Sequence, residues 1–149
     1  MTYSFSNSSK FLLIFFIIFT TLLVGCRSKV PDLEAIKAVK EVMAKRQIAI
    51  HTKDIEMYKE VIFPGFMDGG VTSDAVIEDM RQIFERYEKI EFTYQRSTVD
   101  MDMNSARMVG QISYIGTGME KKVYYRERTI FRRVDGKWTI SAGIQIGML

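Results

Sequence analysis

Glu127 has a setting that demands a chemical explanation. It alternates with Val123, Tyr125, Thr129 and Phe131, so a strand through this segment turns a carboxylate to its apolar side. Arg96 continues the alternation of Ile90, Phe92 and Tyr94 in an earlier segment. If both faces line one interior, a guanidinium and a carboxylate meet away from water. Each must then be paired, because an unpaired buried charge costs on the order of several kcal/mol. With the hydroxyls of Tyr58, Tyr94 and Tyr125, the two charges form the floor of a pocket for a small polar ligand. A structural ion pair meets the same constraint. So does a bulge near Ser97 that turns Arg96 outward, since Val99, Met101 and Met103 shift the alternation from even to odd positions.

Two further side chains carry acid–base chemistry. His51, the single histidine, titrates in the range useful to a general base, and it equally suits the C-terminus of a helix as a cation. Asp68, in Met67-Asp68-Gly69-Gly70, is a candidate catalytic carboxylate or a turn residue. No metal and no cofactor are expected. One histidine and one cysteine make no nitrogen–sulfur ligand set, and Asp100 and Asp102 project together from one strand as a solvent edge does. The chain has 21 Lys and Arg against 18 Asp and Glu, with no basic run, so no nucleic-acid partner is expected. Arg126, Arg128 and Arg132 share an outward strand face with Tyr124 and Ile130. That face reads as a solvated surface, or as the seat of a homodimer or an acidic partner.

The remaining chemistry is at the N-terminus. Phe11 to Val24 is a 14-residue apolar run broken only by Thr20 and Thr21. That is short of the ~20 residues of a membrane span and suits the apolar core of a signal peptide. Lys10 precedes it, and Leu23-Val24-Gly25-Cys26 follows. This tetrapeptide resembles the lipobox of bacterial lipoproteins. The resemblance implies that residues 1–25 are a signal peptide that is removed, that Cys26 receives diacylglycerol and further acyl chains such as palmitate, and that residues 26–31 are a tether. Two or more chains anchor a protein stably where one does so marginally. The implied location is the bacterial cell envelope, at a membrane. Arg27, where enteric inner-membrane lipoproteins carry Asp, leans toward the periplasmic face of an outer membrane if the cell has one. Arg27 and Lys29 are either contacts for anionic head groups or plain linker charges. Cys26 is the only cysteine, so there is no disulfide framework.

These residues need elements to position them. Asp32 caps a long amphipathic helix, about Leu33 to His51, with Ile36, Val39, Met43 and Ile50 on its apolar face and Lys37, Lys40, Glu41, Lys45 and Arg46 on others. Asp54 caps a short helix, Ile55 to Val61. Pro64-Gly65 and Gly69-Gly70 mark a loop. A third helix starts at Thr72 or Ser73; with Thr72 as the cap, Val71 and Val76 occupy the two positions of a hydrophobic staple, and Val76, Met80, Ile83, Phe84 and Tyr87 form its buried stripe. Four strands follow, separated by Asn104-Ser105, Gly116-Thr117-Gly118 and Asp135-Gly136. Ala106, Met108, Gly110, Ile112 and Tyr114 share one inward face, and Trp138, Ile140, Ala142, Ile144 and Ile146 another. Helices followed by a meander of strands predict an α+β fold with the helices on one face of the sheet.

The first helix running into "HTKDIEMYKEVIFPGFMDGG", the helix "TSDAVIEDMRQIFERYEKI" and the closing "RTIFRRVDGKWTISAG" together resemble the nuclear transport factor 2-like superfamily, including its ketosteroid isomerase-like and polyketide cyclase-like members. The resemblance spans residues 32–149. It implies a cone: three N-terminal helices in the concave face of a strongly curved antiparallel sheet of at least four strands, often with a pocket at the open end. Ketosteroid isomerase-like members draw a catalytic carboxylate from roughly the region of Asp68, but the pattern around it is not reproduced here. The superfamily holds enzymes, ligand binders and oligomerisation modules, so the fold does not choose among them. The expectation is therefore a lipid-anchored envelope protein with a non-catalytic domain that binds a small ligand or a partner protein. The alternatives are an isomerase- or dehydratase-type enzyme using Asp68 or His51, and an oligomerisation module.

Overall fold

Asp32 opens the first helix as the sequence predicts. The computed structural model describes residues 32–144, within a compact unit spanning Pro31–Leu149. The expected signal peptide, Cys26, the expected tether and Ile146 lie outside the described residues. Helix α1 (Leu33–Thr52) is capped by Asp32, whose Oδ1 accepts the Ala35 N–H at 3.1 Å. It stops at Lys53, whose left-handed backbone (φ 56°) lets its N–H reach the carbonyls of Ala49 and Ile50. Asp54 then caps α2 (Ile55–Val61) by accepting the Met57 N–H at 2.9 Å.

The Gly69-Gly70 stretch, expected as a loop, is a small hairpin. Strands β1 (Met67–Asp68) and β2 (Val71–Thr72) pair across the two glycines, whose φ values of 55° and 90° suit a tight turn. Thr72 caps α3 (Ser73–Arg86), accepting the Ala75 N–H. Val76, Met80, Ile83 and Phe84 are buried as expected. The staple buries only Val76, leaving Val71 exposed, and Tyr87 is half-buried as the C-cap residue.

The second half of the described chain is an antiparallel meander, β3 (Ile90–Asp102), β4 (Ser105–Gly116), β5 (Val123–Val134) and β6 (Lys137–Ala142), in that spatial order. The sheet curves and the three helices pack against it. Asp135 and Gly136 both take positive φ (50° and 79°), the backbone of a type I′ hairpin turn, which links β5 to β6. The core between sheet and helices is built from Val39, Met43 and Ile50 of α1, Tyr58 of α2, and Phe92, Ile112, Tyr114, Phe131 and Ile140 of the sheet. Among the described residues no helix is long and apolar enough to cross a membrane.

Two register shifts break the simple alternation. One lies in β3 between Gln95 and Thr98, where Arg96 has φ 49°. The other is at the end of β6. Phe131 pairs with Ile140 but Ile130 pairs with Ala142, so Ser141 is an extra residue. Ala142 therefore leaves the face of Trp138 and Ile140, where the alternation had placed it. The bulge brings Gly143, at φ 83°, so close to β5 that a Cβ there would lie 1.8 Å from the Arg128 carbonyl oxygen. Gly118 has the same backbone (φ 86°) but open space around its Cβ position. Gly118→Ala should therefore lower stability by about 1–2 kcal/mol, from backbone strain alone. Gly143→Ala should lose at least twice as much in urea denaturation, and equal losses would show that the close approach to Arg128 is not made.

Candidate functional site

Arg46 lies at the centre of the interior. Val39, Met43, Arg46 and Ile50 follow at spacings of four, three and four, so the guanidinium projects from the apolar stripe of α1. This corrects its assignment to an outer face. Arg46 is 2% exposed and Glu127, from the middle of β5, is fully buried. They form a two-pronged pair, Nη1 to Oε1 at 2.6 Å and Nη2 to Oε2 at 3.1 Å. Thr129 donates its hydroxyl to the same Oε1 at 2.8 Å, and the guanidinium carbon sits 5.1 Å from the centre of the Phe92 ring. Burial alone would lower the Arg46 pKa, but Glu127 more than reverses this and holds the cation above its ordinary range. Such a pair is favourable only when its geometry is good and its remaining atoms are satisfied.

Three tyrosines surround it. Tyr58 comes from α2, Tyr94 from β3 and Tyr125 from β5, and all three feel the charges of both Arg46 and Glu127. Tyr94 reaches inward because Gly110 lies beside it on β4, directly opposite Glu127 in the ladder. A Cβ at Gly110 would meet the Tyr94 ring at 2.5 Å. Burial first, and then the Glu127 charge, push the Tyr94 phenol up to about 12. Burial also raises Tyr58, which Arg46 partly offsets, and raises Tyr125. The Tyr125 ring meets Tyr114 edge-on, with centroids 6.0 Å apart. Three buried polar atoms here, Arg46 Nε, Tyr58 OH and Tyr94 OH, lack a protein partner in good hydrogen-bond geometry, although Tyr58 lies near enough to Arg46 and Tyr94 to Thr129 to interact with them. Such atoms are normally matched by protein or water, so the interior has hydrogen-bonding capacity for a small polar guest.

Four of the five residues expected to converge, Tyr58, Tyr94, Tyr125 and Glu127, thus lie around one point. Arg96 does not join them. The β3 bulge turns it to an exposed position, and the cation that meets Glu127 is Arg46. His51 is also bound elsewhere. Its Nε2 lies 2.9 Å from the N–H nitrogen and 2.7 Å from the carbonyl oxygen of Phe92, so each tautomer satisfies one of these backbone groups on β3. Asp68 accepts the Gly143 N–H through Oδ2 at 2.8 Å, tying the small hairpin to the end of β6. Asp100 and Asp102 are exposed, and Asp100 pairs with Arg107 at 3.6 Å. Among the described residues, no three His, Cys, Asp or Glu side chains are grouped to hold a metal ion.

Removing one member of the pair leaves its partner charged and buried. Arg46→Met or Glu127→Met alone should cost about 3–5 kcal/mol, while the double variant Arg46→Met/Glu127→Met should lose much less than their sum. Additive losses in urea denaturation would mean the two side chains do not interact. The alkaline limb has a defined sign. The folded-state pKa of Tyr94 is raised above the ordinary tyrosine value of 10.0 toward about 12. The stabilisation is complete below pH ~10 and is lost as pH rises through the folded value. Tyr94→Phe should flatten the fall in melting temperature over that window, and an unchanged profile would contradict the assignment.

No protein-family model matches the sequence, and neither does any curated protein. Solved structures do match. Bd1075 of Bdellovibrio bacteriovorus superimposes with a TM-score of 0.64 at 12% identity over 76% of this chain, which spans 41% of that protein. A protein of unknown function with a cystatin-like fold from Nostoc punctiforme gives 0.63 at 11% identity, covering 80% of this chain and 98% of the other. A candidate dehydratase of the nuclear transport factor 2-like family from Streptomyces avermitilis gives 0.63 at 16% identity, covering 76% and 95%. At these identities the likeness concerns the fold, and the domain of residues 32–144 has the cystatin-like cone fold of nuclear transport factor 2-like proteins.

Proposed function

We propose that this chain is a membrane-anchored envelope lipoprotein whose folded domain binds a small ligand or a partner protein and catalyses no reaction. The state of Glu127 carries the non-catalytic part. A general acid or base must reach a reacting atom with a free proton-transfer site. Glu127 has no exposed surface, and both its oxygens are engaged, one by Arg46 and Thr129 and the other by Arg46. His51 uses Nε2 on Phe92 and Asp68 uses Oδ2 on Gly143, and both are exposed rather than set in the interior with Glu127. The anchor rests on Leu23-Val24-Gly25-Cys26 and the short apolar run before it. A small-ligand role is supported by the three polar atoms without a well-aligned partner beside the ion pair.

A dehydratase-type enzyme is the second reading, favoured by the Streptomyces neighbour and by the interior hydroxyls of Tyr58 and Tyr94. It ranks second because burial raises both phenols and so makes them poor acids at neutral pH.

The anchor is tested by mass spectrometry of the N-terminal peptide after membrane fractionation. The wild type should yield an acylated Cys26 in the membrane fraction, and Cys26→Ser should accumulate as the uncleaved precursor. Identical processing and fractionation of the two would overturn the lipoprotein reading.

A further inference from the structure

The outward face of β4 and β5 carries two adjoining open grooves of about 470 and 460 Å³ that share Val109 and Arg126. Arg128 and Gly143 lie in the first, Arg96 and Tyr124 in the second. The ladder pairs Gln111 with Arg126 and Val109 with Arg128, so the two arginines project side by side along one strand face. Residues two apart on a strand are about 7 Å apart, the repeat of alternate side chains in any extended chain. Arg96 joins them because the β3 bulge turns it outward.

The charge here is net positive, three arginines against one carboxylate. Lys45, Lys59, Arg81, Lys89 and Arg107 each have a carboxylate partner, and Arg132 lies over the Phe63 ring. Among the described residues Arg96, Arg126 and Arg128 form no ion pair, although all three are exposed. Asp68 lines the first groove, where its Oδ2 accepts the Gly143 N–H and its charge offsets part of the arginine excess, while no carboxylate lines the second. Tyr124 is 62% exposed beside them, an aromatic surface with no core to fill. A second copy docking through this face about a two-fold axis would set arginine against arginine, which is unfavourable.

We propose that this face is a docking site for an acidic, extended segment of a partner protein. Carboxylates at alternate positions of that segment pair with Arg126 and Arg128, a further one reaches Arg96, and the segment packs against Tyr124. The two-residue repeat favours an extended peptide over a lone anion, which would match only one arginine. The inference deepens the partner-binding reading by naming the partner's chemistry, and it does not depend on the anchor or on the interior.

The test uses the full-length protein in non-ionic detergent and two fluorescent peptides, one alternating Glu with Thr and the other with Gln in place of Glu. Fluorescence anisotropy should show binding of the Glu peptide that weakens as salt rises. The pair Arg126→Ala/Arg128→Ala should lower that affinity about tenfold or more, while Arg107→Ala, whose side chain is already paired, should change it less than about threefold. These positions are exposed, and an unchanged circular dichroism spectrum confirms that each variant folds. No binding, equal binding of the Gln peptide, or indifference to the Arg126/Arg128 change would each overturn the proposal. Self-association in sedimentation that Arg126→Glu abolishes would reassign the face to a second copy. Cys26 processing and the stability of the Arg46–Glu127 pair are separate readouts, so failure here is distinguishable from failure of the broader reading.

Discussion

The Arg46–Glu127 pair joins positions 81 residues apart and constrains nearly everything around it. Moving both charges out of water is costly, and only a two-pronged, well-aligned contact offsets that cost. The contact therefore fixes the rotation of α1 about its axis and the register of β5. A one-residue slip of β5 would carry Glu127 to solvent and bring Arg126 or Arg128 inward against Arg46. Neighbouring choices follow from the same constraint. Phe92 lies under the guanidinium, Thr129 supplies a further hydrogen bond to the carboxylate, and Gly110 stands opposite Glu127 with the Tyr94 ring over it.

Much of this architecture was legible from residue types. Asp32 and Asp54 act as the caps their positions predict, and Thr72, one of two starts open for the third helix, caps it, because a short polar side chain before an apolar stripe has little else to do there. Asp135-Gly136 marked its hairpin because both residues tolerate positive φ. The alternation in β5 put Glu127 inside. What escaped was what alternation cannot express. The bulge at Arg96 was visible only as a change of phase, and the bulge at Ser141 left no signal in the sequence, so Ala142 was misplaced. Arg46 was misread by its charge. Its spacing from Val39, Met43 and Ile50 placed it on the buried stripe, and weighing that spacing against Glu127's need for a partner would have found it. His51 on Phe92 is a contact between distant segments that no local pattern encodes.

The two faces of the sheet thus differ in kind. On the concave side the charges neutralise each other, leaving a few hydrogen-bonding atoms without well-aligned partners among apolar walls. On the convex side arginines stand without partners over open grooves. A fold shared with proteins only 11–16% identical does not select between catalysis and recognition. The proposal of recognition rests on the distribution of satisfied and unsatisfied charge in this chain.

The central claim is that the interior carboxylate is locked by the Arg46 guanidinium. Nitrogen-15 NMR of the Arg46 side chain tests this most directly. A two-pronged buried pair predicts resolved Nη signals, slow rotation about the guanidinium bonds, and protons protected from exchange with water. A single averaged Nη signal with solvent-like exchange would show that Arg46 is free and that Glu127 is open to chemistry, contradicting the account.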